Sequence, residues 1–129
     1  MTAQHKTEDG WRVKRAANSG EVLVGYKVMA YDPNLGNLVS GANSRIRLDM
    51  RKGAVHEMPR PGIFLAARKR YVMDYYATHE INALITYLFD PQDVTTGRLD
   101  DREPEITVKK AVVENVELFD EDGERLRST

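Results

Sequence analysis

The run from Pro61 to Tyr76 constrains this chain most. Pro59 and Pro61 each disfavour helix at the preceding residue, so Met58–Gly62 reads as an extended loop. Ile63-Phe64-Leu65 follows as a short buried strand, with Phe64 expected in the core. Residues 67–79 then change to helical period. Tyr71, Val72, Tyr75, Tyr76 and His79 share one face, and Lys69, Arg70, Asp74 and Ala77 share the other. No Ser, Thr, Asp or Asn precedes this helix, so its start is poorly capped.

The partner for that junction is a sheet. Val22–Tyr31 is rich in Val and Tyr on both faces, as in a central strand. Asp32–Gly36 supplies turn residues, and Asn37–Ser40 reads as a short return strand. Arg45–Met50 alternates, with Ile46, Leu48 and Met50 on the inner side. Ala83–Phe89 is strand by composition and is stopped by Asp90-Pro91; Thr95–Pro104 is a polar loop. Glu105–Lys109 and Val112–Phe119 complete the set. Short connections require mostly antiparallel pairing. The expected class is α+β: a curved, mostly antiparallel sheet of about six strands with one main helix packed on it.

A chain of 129 residues favours one domain. Its expected bounds are 21–119, between flexible segments at 1–20 and 120–129. Trp11 and Val13 are the only candidates for packing in the first segment. No cysteine is present, which excludes disulfides and thiolate metal sites. The first ten residues lack the apolar stretch of a signal peptide, and no run nears the roughly 20 apolar residues that span a bilayer. The expectation is a cytoplasmic protein with no membrane partner.

Charge is unevenly placed. The net charge is −1, but residues 42–70 carry +6 and residues 71–129 carry −8. Either paired strands cancel these charges or one face docks a charged partner. The docking candidates are Arg45 and Arg47 on a strand and Arg68, Lys69 and Arg70 at the helix start, facing an acidic protein surface. Aromatics do not interleave with the basic strand, and the net charge is negative, so nucleic acid is disfavoured. His5, His56 and His79 lack metal-ligand spacing, and Asp100, Asp101, Glu103 and Glu105 read as a solvated run; no metal is expected. No serine lies in a nucleophile elbow.

Two resemblances add to this reading. Tyr26-Lys27-Val28, then Gly62-Ile63-Phe64, then a helix ending in Tyr75-Tyr76, resemble a set of small bacteriophage and prophage proteins of unknown function. That resemblance implies a phage-type accessory protein in the host cytoplasm, acting by binding, or a minor virion component. An aromatic strand before a helix ending near a Tyr, with Glu105 opening a late strand, also resembles the ADP-ribosyltransferase-like fold. That second resemblance implies NAD as cofactor and Tyr26, Tyr75 and Glu105 as catalytic residues. Lys27 stands where that family has Arg or His, and its Ser-Thr-Ser motif is missing. The binding role is therefore the first expectation, without enzyme activity or cofactor, and the NAD enzyme the second.

Overall fold

A twelve-residue strand organises the sheet. In the computed structural model, which describes residues 11–15, 21–32, 37–39, 47–48, 50–58, 62–97 and 105–126, this strand is Glu21–Asp32. Numbered along the chain, the strands are β1 (Arg12–Arg15), β2 (Glu21–Asp32), β3 (Asn37–Val39), β4 (Arg47–Leu48), β5 (Val55–Glu57), β6 (Ile63–Ala66), β7 (Ile81–Phe89), β8 (Val94–Thr96), β9 (Glu105–Val108) and β10 (Lys110–Asp120). Helix α1 (Lys69–Tyr76) lies between β6 and β7. Every pairing is antiparallel, and the main path runs β5-β10-β7-β2-β6-β9-β8.

The path curls back on itself. β9 and β10 are separated only by Lys109, yet β9 pairs with β6 while β10 pairs with β7. The run from Glu105 to Asp120 is thus one bent strand that serves both ends of the ring β2-β7-β10/β9-β6-β2. At the bend, the Lys109 N–H donates to the Asp93 carbonyl, and the Lys109 carbonyl accepts from Met58 N, both at 2.9 Å. The tight closure explains Gly25. A Cβ there would lie 3.0 Å from the Leu65 side chain and 3.3 Å from the Phe89 ring, where β2 crosses β6.

Alternation along β2 divides the packing. Leu23 and Met29 join Ile63, Leu65, Ile85, Tyr87, Phe89, Ile106, Val108 and Val113 in the inner cluster. Tyr26 and Val28 face the other way and pack with Ala66, Leu84 and Val72 of α1. The buried polar side chains of His56 and Asn82 are bonded, as their desolvation requires. His56 Nδ1 and the Tyr87 hydroxyl are 2.6 Å apart inside the ring. Asn82 accepts from His79 N and donates to the carbonyls of His79 and Asp120, which fixes the turn from α1 into β7.

The expected class is observed: an α+β domain with a curled antiparallel sheet and a single α-helix among the described residues. Seven strands lie on the main path, close to the expected six. The extra pieces are short. β5 pairs only Val55–Glu57, and β8 falls in a stretch that reads as loop from its polarity. The sheet also exceeds the expected bounds of 21–119. Trp11 is fully buried in the inner cluster and β1 pairs with β2. At the other end Leu126 N donates to the Leu118 carbonyl. Residues 1–10 and 127–129, the turn residues 33–36, residues 40–46, the prolines at 59 and 61, and residues 98–104 lie outside the described residues.

Two expectations are corrected. The helix is Lys69–Tyr76 rather than 67–79: Ala67 is still buried against the sheet, and Ala77 has left helical geometry at ψ 67°. Phe64 is on the correct strand but on its outer face, 46% exposed, while its neighbours Ile63 and Leu65 point inward. A three-residue apolar run does not reveal which face of its strand is covered. Phe64→Ala is accordingly expected to cost less than about 1 kcal/mol, the range for a surface substitution, and a urea melt measures it.

Candidate functional site

Glu105 is the centre of the outer face. Its register partner is Ala66, the last residue of β6, so its side chain emerges beside the chain segment that enters α1. Two phenols from α1 reach it. Tyr76 donates to both carboxylate oxygens at 2.9 Å, and Tyr71 donates to Oε1 at 3.2 Å. Carboxylate acceptors make such bonds stronger than neutral ones. They tie the helix to the sheet where local capping fails: Arg68, at the N-cap, makes no side-chain cap bond.

Aromatic rings extend the site. Tyr75 is 66% exposed, and its ring centroid lies 4.7 Å from that of Tyr71. Tyr76 is 41% exposed and meets Tyr71 edge-on at 6.3 Å. Cations border the rings. The Lys69 ammonium is 5.7 Å from the Tyr26 ring and 4.0 Å from Glu117. Arg68 is exposed, and Arg70 lies 3.9 Å from Asp74 one turn on. Lys27 occupies an inner-parity position on β2, but β6 leaves β2 after the single pair Tyr26↔Ala66. Its ammonium comes to 5.8 Å from the exposed Phe64 ring.

Protonation follows burial. Desolvation pushes the Tyr76 and Tyr71 phenols up, and the adjacent Glu105 charge pushes them further. Burial alone pushes up the Tyr87 phenol. Lys27 moves down through burial, with partial relief from the Glu105 charge. The pH consequences differ in sign. Between its lowered folded value and about 10.4, the unfolded Lys27 holds more protons, so its contribution to stability rises with pH. Above about pH 10 the unfolded tyrosines lose protons that the folded phenols keep, so stability falls. Well above about pH 10.4 the lysine is deprotonated in both states, so the phenols alone set the slope and alkaline unfolding is expected. Phenolate absorbance should rise with loss of circular dichroism for part of the six tyrosines; smooth ionisation of all six with the fold intact contradicts this.

The expected site residues divide as follows. Lys69 and Arg70 lie in the first turn of α1, directly after Arg68. Arg47 lies in β4 opposite Val39 and reaches the domain through β3, and Arg45 lies outside the described residues. Of the residues implied by the second resemblance, Glu105 is central, whereas Tyr26 is only 3% exposed beneath Lys69. Tyr75 makes its ring contact with Tyr71, and the hydroxyls on Glu105 belong to Tyr71 and Tyr76. From sequence, Tyr71, Tyr75 and Tyr76 read as an aromatic stripe that is either core or pocket lining, whereas Lys27 and Phe64 are not among the expected site residues. The aromatic stripe of α1 and the outward parity of Glu105 are the signals that point to this pairing.

Among the described residues, no group of three or more His, Asp or Glu is placed to hold a metal ion, and no helix is long and apolar enough to cross a membrane. In comparisons with known proteins, no family model, no curated protein and no solved structure matches the chain.

Proposed function

We propose that this chain is a binding module that docks an acidic segment of another protein on the face formed by α1 and the outer side of β6. One observation carries the reading. Four large apolar side chains are exposed among the described residues, and three of them, Phe64, Tyr75 and Tyr76, border the Glu105 cluster. Exposed apolar surface rimmed by charge marks interaction sites, and Tyr and Arg are the side chains that dominate binding energy at protein interfaces.

Charge favours protein over nucleic acid as the partner. The cations Lys27, Arg68, Lys69 and Arg70 are interspersed with Asp74, Glu105 and Glu117. A nucleic-acid groove needs a sustained excess of cations to displace counterions from phosphates. The motif residues Lys27 and Phe64, which carry the phage resemblance, both lie on this face and support a phage-type accessory role in the cytoplasm. A virion component is the alternative setting for the same surface.

Selection of random twelve-residue peptides displayed on phage against the full-length protein tests the reading. Binders are expected to weaken at least tenfold with Tyr75→Ala and with Arg68→Glu, both at exposed positions. Binders indifferent to both substitutions, or no binders at all, overturn it.

A further inference from the structure

We propose that Lys27 is the anchor of this docking face, taking a carboxylate of the partner segment while an adjacent apolar side chain of that segment lies on the Phe64 ring. The inference rests on the docking reading above and names the chemistry of its occupant.

The position of Lys27 is unusual for a lysine. It alternates with Leu23 and Met29, whose side chains fill the inner cluster, so an apolar residue is expected at its place. The ammonium instead emerges where β6 parts from β2 and comes to rest near an exposed ring. It makes no ion pair within 4.0 Å among the described residues, unlike Lys69, Arg70 and Lys109. Glu105 is near enough to be felt but is engaged by the hydroxyls of Tyr71 and Tyr76. The cation is therefore partly desolvated without a direct counter-ion among the described residues. Burial holds its pKa below the ordinary lysine value, which reports that incomplete compensation.

A partner carboxylate supplies what is missing. It would meet an ammonium already stripped of part of its water, beside the exposed Phe64 ring. A hydrogen-bonded charge pair formed in such a place is stronger than one in open solvent. The Phe64 ring adds a flat apolar platform within reach of the next side chain. A segment pairing Asp or Glu with a neighbouring aromatic or aliphatic residue fits both features.

The test uses the peptides selected above and the full-length protein. Peptides selected on the wild type should carry an acidic residue beside an apolar one. Lys27→Met should weaken them at least tenfold while the thermal midpoint stays equal or rises, because a half-buried charge is removed. Changing the peptide's acidic residue to its amide should cost as much on the wild type and almost nothing on Lys27→Met. Equal losses on both proteins place the carboxylate elsewhere and overturn the anchor. Peptides that respond to Tyr75→Ala and Arg68→Glu but not to Lys27→Met leave the docking face standing and remove Lys27 from it. Peptides indifferent to all three substitutions, or no wild-type binders, remove both. Binding of labelled oligothymidylate that Lys27→Met abolishes assigns the face to nucleic acid and overturns the peptide proposal.

Discussion

Replacing Trp11 with alanine is expected to remove about 3–5 kcal/mol of stability, the range for emptying a buried large aromatic. The indole has no exposed surface and meets Phe89 edge-to-face, with ring centroids 5.5 Å apart. Its loss opens a void among Leu23, Phe89 and their neighbours in the inner cluster. The position is ten residues before the first residue of β2, separated from it by β1, so the effect reports whether that leading strand belongs to the cooperative unit. A urea melt monitored by circular dichroism gives the value. A loss under about 1 kcal/mol, comparable to that expected for Phe64→Ala, contradicts the packing of Trp11.

Glu105→Ala has the second largest expected effect, about 1.5–3 kcal/mol, the scale of hydrogen bonds to a charged acceptor. Both phenols lose their acceptor, and α1 has no side-chain N-cap to compensate. Glu105→Gln keeps an acceptor oxygen and should lose less. The expected fingerprint is local. Amide exchange should quicken in α1 before it quickens in β2 or β7, because the bonds to Glu105 hold the helix and not the ring. The same variants address the NAD reading. Glu105-dependent turnover of NAD by the wild type, lost in Glu105→Gln with the fold intact, would replace binding by catalysis as the role of this carboxylate.

The long elements were legible in sequence because their patterns are long. Val22–Tyr31 and Ala83–Phe89 fall inside β2 and β7, whose apolar content on both faces matches a sheet covered inside by its own curl and outside by a helix. Short elements were not. β5 and β8 have three residues each, fewer than one alternation needs to declare itself. The closure of the ring was equally hidden. It depends on one residue, Lys109, at which a continuous strand changes neighbours, and the local pattern does not change there. Phe64 was misplaced for a related reason: apolar composition fixed the strand but not the side that is covered. For the site, Glu105 and an aromatic helix were both visible as pieces. Their pairing was not, since it spans about thirty residues and depends on the register of β9 against β6. In sequence Lys27 stands out only as part of one family's strand motif and as a departure from another's. Its importance comes from where β2 and β6 separate, which sequence does not reveal.

The footprint of a selected peptide on the full-length protein, mapped by amide and side-chain chemical-shift changes, tests the central claim most directly. The account predicts changes concentrated at Lys27, Phe64, Arg68, Tyr75 and Tyr76, with the Tyr71 and Tyr76 bonds to Glu105 preserved. Changes concentrated instead around Val55, the one large exposed apolar side chain away from this face among the described residues, on the β5–β10 edge, would contradict it.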